Sequence, residues 1–301
     1  MGDRGQRKWW VTGCLILLGI VALLVATVAG MIWLSVRSAE PLSSTVVHQP
    51  PEPGVALLRD DEPTIAGTPL QILLELDSCE VYIEPGAPGE PLSIEAHYDA
   101  HDYRLEEIVD EKSPGVYHLR FLVSSSRLIT GIKQALLGGQ PQLRVRLPID
   151  TPIELRLLQR NGGAIVDLSG LHLNVAEFDI GGALLKVDAD ERLQGDLERL
   201  TVKGSQGAVF LESLNLMQPR RIDVDFRMGQ VQLDFRGPWA SDTDVHLSLS
   251  MLDAIVRLPR DARVNGLGTG HLASPSTAEL RPPTLSFSVE SGTRTTLRVF
   301  E

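Results

Sequence analysis

Hydrophobic positions follow two different rules along this chain. Between Lys8 and Arg37 lie 28 residues without a charge, most of them Leu, Ile, Val and Ala. A bilayer core takes about 20 such residues as a helix, so residues 9–36 are predicted to form one transmembrane α-helix. Trp9, Trp10 and Trp33 stand near its two ends, where amphipathic rings settle at the headgroup level. From residue 68 onward the pattern becomes a period of two over short stretches, which is that of a strand with one buried face. Leu70–Leu76, Val81–Glu84, Leu92–His97 and Tyr117–Val123 are predicted strands. Leu128–Leu137 (LITGIKQALL) is the one helical or irregular insert, ended by Gly138 and Gly139. Leu285–Val289 and Thr296–Phe300 predict a final hairpin after a loop over residues 266–283.

Between residues 143 and 265 the alternation itself repeats. Each unit is a strand, a tight turn and a second strand. The second strands begin at Gly163, Gly182, Gly207, Gly229 and Asp253, spaced 19, 25, 22 and 24 residues apart. Before them come Ile153–Leu158, Val175–Ile180, Leu200–Lys203, Ile222–Arg227 and Val245–Met251. One such unit cannot bury its apolar face alone. Stacking successive units gives a continuous core, and a period in this range is the signature of a solenoid. In Val231-Gln232-Leu233-Asp234 and in Ile222-Asp223-Val224-Asp225 the apolar residues are expected to point inward and the polar ones outward. The fold expected is therefore all-β, a stacked β-solenoid over 68–301 preceded by the transmembrane helix.

Charge and composition add location. Three basic residues, Arg4, Arg7 and Lys8, precede the apolar run, and only Arg37 follows closely. The excess of positive charge before the span places residues 1–8 in the cytoplasm. The C-terminal domain is then extracytoplasmic, on the periplasmic side of a single-pass inner (cell) membrane protein. A signal peptide has an apolar core of about 7–15 residues. Here the run continues through Met31-Ile32-Trp33-Leu34, so the segment is expected to remain as an anchor in contact with lipid. Ala22, Ala26 and Gly30 recur every four residues and put small side chains on one face, where a second helix could pack and the chain self-associate. Residues 37–67 are polar and proline-rich and read as an extended linker. Residues 41–301 carry 24 basic and 37 acidic residues. That balance disfavours nucleic-acid binding and adhesion to anionic lipid. The two cysteines, Cys14 and Cys79, fall in different segments, so no disulfide framework is expected.

The stretch Gly229–Val264 (GQVQLDFRGPWASDTDVHLSLSMLDAIVRLPRDARV) resembles the toast-rack, adhesin-like β-solenoid domains of bacterial envelope proteins. It is similar in particular to the C-terminal domain of LiaF-type regulators of envelope stress. The matching features are the strand Gly229–Arg236, the alternating strand Val245–Met251, and Val256-Arg257-Leu258-Pro259 followed by Val264. The resemblance covers roughly residues 143–265 and implies a fold instead of a reaction, since these families share no catalytic residues. LiaF-type proteins have several spans where this chain has one.

Few residues suggest chemistry. His97, Asp99 and His101 would share a strand face and are the only candidate metal ligands, although the segment also reads as a strand end entering a polar turn. No nucleophile elbow is present. Asp77-Ser78-Cys79-Glu80 reads as a turn, with Cys79 a small partly buried residue. No catalytic residue, cofactor or metal is therefore assigned. The function expected is non-enzymatic: an envelope protein whose solenoid presents a surface for protein interaction, assembly or stress sensing. The alternative is a carbohydrate- or cell-wall-binding or -processing protein on the same scaffold. Outward charges gathered in one cleft would favour the latter.

Overall fold

A computed structural model describes residues 44–48 (as backbone), 69–100, 102–109, 115–124, 140–267, 283–292 and 294–300, with helical backbone at Gly19, Thr27 and Gly30. The rest of the expected anchor, Ala22 and Ala26 included, lies outside the described residues, as do most of the linker and Leu128–Leu137. Among the described residues no helix is long and apolar enough to cross a membrane. Residues 44–124 and 140–301 group into one compact unit.

The strands of this unit are β1 (Ser44–His48), β2 (Leu70–Pro85), β3 (Ser93–Tyr98), β4 (Tyr103–Val109), β5 (Val116–Val123) and β6 (Gln142–Leu147). They continue with β7 (Ile153–Asp167), β8 (Leu173–Asp188), β9 (Arg199–Leu211), β10 (Arg221–Phe226) and β11 (Gly229–Asp234). The last are β12 (Thr243–Leu249), β13 (Leu252–Arg257), β14 (Arg263–Asn265), β15 (Thr284–Ser291) and β16 (Thr296–Phe300). All belong to one large sheet built by in-register stacking. Each rung has two arms joined at a corner. β2, β7, β8 and β9 are continuous through that corner, whereas β10–β11, β12–β13 and β15–β16 are split there. Neighbouring rungs from β2 onward pair parallel.

In-register stacking puts like on like, and this builds the core. On the first arm Leu119, Leu74, Leu157, Phe178, Val202, Val224, Leu247 and Val289 form one column. On the second arm Leu143, Val81, Ala164, Leu185, Val209, Val231, Ala254 and Leu297 form another. Except for Val289 and Leu297, which are partly buried, these residues are fully buried. The inward set of each strand is shielded by the rungs above and below, as the stacking argument requires.

A third side closes each rung. After the second arm the chain returns through a short segment, irregular except for one turn of α-helix (Leu214–Met217) after β9, that also buries apolar residues. Leu168 and Leu171 do this after β7, Leu193 and Leu197 after β8, Leu214 and Met217 after β9, and Phe235 and Trp239 after β11. Asp167, Asp188 and Asp234 start these segments by accepting a hydrogen bond from the backbone N–H of Ser169 (2.9 Å), Ala189 (2.9 Å) and Arg236 (3.0 Å). A carboxylate that satisfies the backbone just beyond a strand favours a turn there.

The rungs do not follow chain order at the N-terminal end. β5 and β6 together form the rung on the other side of β2 from β7. β3 and β4 lie beyond that rung and run antiparallel to it, and β1 pairs antiparallel with β3.

Several sequence expectations change. Asp77–Glu80 is no turn: it is the corner of an unbroken β2, stacked on Asn161–Gly163. The corner column runs Cys79, Gly162, Ala183, Gly207, Gly229, Leu252. Gly163, Gly182 and Asp253 therefore sit one position out of phase with Gly207 and Gly229. A one-residue slip turns a strand over, which is why Ile165 and Leu184 face outward, each 44% exposed. The expected final hairpin is instead two arms of the last rung, β15 paired with β12 and β16 with β13, both parallel. β4 was not anticipated, and β1 forms inside the stretch read as linker.

The assigned faces of β11 do match the structure: Leu233 and Val231 are buried, while Gln232 is half-exposed. Leu233→Ala is expected to lower the stability of a fragment spanning residues 41–301 by about 2–5 kcal/mol, and Gln232→Ala by less than about 0.5 kcal/mol. Urea midpoints measure both, and equal shifts would refute the assignment.

Candidate functional site

Among the surfaces open to a partner are the outer faces of the two arms. On the first arm the outward side chains of successive rungs stand about 4.8 Å apart, and opposite charges meet across that gap. Glu177 accepts from Arg156 on one side (3.3 Å) and from Arg199 on the other (3.1 Å). Glu75 contacts Arg120 at 3.0 Å and His118 at 3.3 Å. On the second arm Arg146 reaches Glu84 at 3.1 Å and Lys186 reaches Glu212 at 2.9 Å. Each pair joins neighbouring rungs and is largely solvated, so each contributes about 0–1 kcal/mol. Their larger effect is on the surface, where charge is neutralised sideways instead of converging.

Among the described residues, shallow depressions interrupt these faces. One of about 250 Å³ lies on the first arm around Lys203, Asp223, Asp225 and His246. A second, of about 350 Å³, lies beside the corner between Glu75, Asp77, Arg120, Leu158, Arg160 and Asp179. A third, of about 280 Å³, lies on the second arm between Glu80, Tyr82, Gln140, Gly163, Ile165 and Leu184. The third gathers two exposed aliphatic side chains, Ile165 and Leu184, beside Tyr82. Starting the second strands at Gly163 and Gly182 leaves the phase of Ile165 and Leu184 unset, and the corner at Gly162 and Ala183 turns them outward.

His97 and Asp99 do not share a strand face as expected. β3 ends at Tyr98, and Asp99 lies in the turn whose carbonyl accepts the N–H groups of Asp102 and Tyr103. His97 points out beside Glu95, Nε2 to Oε1 3.0 Å, and His101 lies outside the described residues. Among the described residues no three side chains group to hold a metal ion.

Cys79 is buried at the corner. Burial, reinforced by the charges of Asp77 and Glu80, pushes its thiol well above the ordinary range, so it stays protonated and unreactive. Burial, then the charge of Asp102, pushes the Tyr103 phenol up to about 12. The ring stacks on Phe121 with centroids 5.0 Å apart, which identifies it as a core residue.

Asp234 is the one carboxylate the sequence placed outward that is instead buried, at 8% exposure. Burial alone would raise its pKa. Hydrogen bonds from Arg236 (Nε to Oδ1 2.9 Å) and its backbone, with the charge of Arg257 at 3.6 Å, outweigh that and lower it. A depressed folded pKa contributes stability that is present above the unfolded value and lost as pH falls through the folded one. Asp234→Asn is therefore expected to cost about 1 kcal/mol at neutral pH. The difference between parent and variant should begin to shrink as the pH falls below about 4, the unfolded carboxylate range, and vanish only below the depressed folded value. Urea titrations at pH 7 and pH 3 check this. A cost that persists undiminished at pH 3 would assign the effect to packing instead of charge.

Stacked parallel rungs with flat, laterally paired faces define the class: an all-β protein of solenoid type. The chain matches no known family description, and no curated protein matches it. Two solved structures are similar to it. One is a protein provisionally named a cell adhesion protein from Clostridium sporogenes, with 11% identity, 85% of this chain and 99% of that chain covered, and a TM-score of 0.35. The other is a protein provisionally named an adhesin from Bacteroides fragilis, with 10% identity, 85% and 96% covered, and a TM-score of 0.38.

Proposed function

We propose that this chain is a membrane-anchored, extracytoplasmic β-solenoid that acts non-enzymatically, presenting its outer faces to another protein of the cell envelope in assembly or stress sensing. The observation that carries this reading is the lateral pairing of charge: Glu177, Glu75 and Glu212 are each engaged by a cation one rung away. Convergent groups in a concave site are what catalysis requires, and flat paired faces are suited to broad protein contact. The uncharged run 9–36 and the basic residues before it support the anchor and its orientation.

The test is site-specific photo-crosslinking in intact cells from outward positions on each arm, Arg156 and Gln232, with buried Leu233 as control. A discrete crosslinked protein from an outward position and none from Leu233 is expected. Sedimentation of the domain with purified cell-wall glycan, without any protein crosslink, would instead favour the carbohydrate reading. The depression around Tyr82, Ile165 and Leu184 would then be the first place to mutate. A reporter fused after Glu301 that is active only in the cytoplasm would refute the orientation.

A further inference from the structure

The two ends of the stack are finished differently. At the β16 end the first arm carries one strand more than the second: β14 lies parallel on β15, Arg263 opposite Thr284 and Asn265 opposite Ser286. On the second arm β16 pairs with β13, and among the described residues no strand lies on its other side. The carbonyl of Phe300 accepts the N–H of Leu258, so Phe300 turns its backbone groups toward β13. Successive residues of a strand turn theirs to opposite sides, and those of Leu297 and Val299 therefore point to the open edge. The core is open there as well. Leu297 and Val299 are only partly buried, whereas Ala254 and Val256, on which they stack, are buried. Phe300 is 50% exposed. A solenoid stays soluble when its terminal unit offers a polar outer side, and a free edge is a template for another strand.

The other end of the stack supplies such a strand. β1 pairs with β3 and, among the described residues, with no strand beyond it. β3 runs antiparallel to β6, and β1 antiparallel to β3. β1 therefore runs in the direction of β6 and, through the parallel rungs, in that of β16. Each of the two edge strands has five residues. Their surroundings are opposite in charge. Residues 92–109, which form β3 and β4, hold five acidic residues and one basic. Residues 258–267 and 283–300, which form β14 to β16, hold four basic residues and two acidic. In a chain of net charge −11 the β16 end is thus the exception, and complementary potential guides such unlike ends together.

We propose that the solenoid stacks head to tail on a second copy of itself, β16 of one copy adding in parallel to β1 of the next. The two edges are different surfaces, so the contact is heterologous, and a coaxial stack of this kind adds copies in a line instead of closing as a dimer. A two-fold pairing of β16 with β16 would bring like charges together, which is unfavourable across neighbouring strands. The outer faces of both arms stay free in such a line, open to the partner proposed above.

The experiment uses the full chain in detergent micelles. Sedimentation velocity over a wide range of concentration is expected to show a mass that rises past the dimer and falls back in high salt, which screens the attraction between the ends. Val299→Pro removes an N–H from the open edge and leaves the β13 pairing intact. Arg298→Glu reverses the charge of an exposed side chain on the same strand. Each should weaken the association at least about tenfold, the effect of one lost hydrogen bond or charged contact. Urea midpoints close to the parent's are expected for both, and if Val299→Pro lowers its own midpoint, Arg298→Glu decides alone. Association through the expected anchor would be the same in all three chains. Parent and variants that sediment alike therefore overturn the proposal, as does a parent that stays monomeric throughout. Two single-cysteine chains in the Cys14→Ser background then locate the contact, Thr296→Cys on β16 and Val47→Cys on β1; Cys79 is buried and protonated. A short bis-maleimide is expected to join position 296 to position 47 when the two chains are mixed. Joining of 296 to 296 without any 296–47 product would assign a two-fold contact and overturn the head-to-tail arrangement, and so would the absence of both products.

Discussion

Replacing Gly229 by alanine is expected to be among the most damaging single-methyl additions this fold can receive. Gly229 opens β11 with φ near 131°, and a Cβ there would stand 1.9 Å from the carbonyl oxygen of Gly207 in the rung below. Gly207 repeats the situation at φ 129°, 1.9 Å from the carbonyl oxygen of Ala183. Two costs therefore add. A non-glycine residue held in such a backbone region costs about 1–3 kcal/mol. The overlap comes on top, and it is with backbone, which cannot swing aside as a side chain would. A loss above about 3 kcal/mol is expected for Gly229→Ala, measured as the urea midpoint of residues 41–301. Gly163→Ala is the control: it lies beside the same corner in β7, with nothing within 4 Å of its added carbon, and should stay within about 0.5 kcal/mol of the parent. Similar midpoints for the two variants would mean that the corner does not stack as described. The two lesions also lie in adjacent rungs whose stabilities couple, so the double variant Gly207→Ala/Gly229→Ala should depart from additivity.

That corner also marks where the sequence stopped being legible. The faces of β11 could be read directly, because Val231-Gln232-Leu233 alternates with no competing phase. Gly162-Gly163 and Gly181-Gly182 are doublets, and each offers two phases. What selects between them is which residue the next rung stacks upon, and that contact is 20 or more residues away in sequence. The corner of β2 carries Cys79 where β7, β9 and β11 carry glycine, so an unbroken strand gave the signal of a turn. The rung made by β5 and β6 was invisible as a repeat, because it pairs with a strand that precedes it and is interrupted at residues 124–141. Leu168, Leu171, Leu193 and Leu197 belong to irregular segments, where no period identifies a buried residue. At the candidate site, the spacing of His97 and Asp99 implied a shared face only while the strand continued, and β3 stops between them. Asp234 obeyed the alternation but is covered by Arg236 and Arg257, arginines that sequence spacing alone does not bring together.

Phe226→Ala should cost about 3–5 kcal/mol, and its neighbour Gly204 gives a sharper test of the same stacking. Phe226 is fully buried at the end of β10 and pairs in register with Gly204 of β9. A Cβ on Gly204 would lie 2.3 Å from the Cε2 atom of the Phe226 ring. The glycine thus makes room for an aromatic ring supplied by the following rung, and the two residues form one packing unit. Gly204→Ala alone is expected to cost about 1–3 kcal/mol through overpacking. In the Phe226→Ala background the ring is gone. Of the three atoms nearest the added carbon, the carbonyl oxygen of Ile180 at 3.1 Å then remains. The second substitution should therefore cost at least about 1 kcal/mol less than it does in the parent, a coupling of the size found between residues in direct contact. Four urea curves give the cycle. Strict additivity would mean that the ring does not lie over residue 204, and the in-register assignment of β9 to β10 would have to be revised.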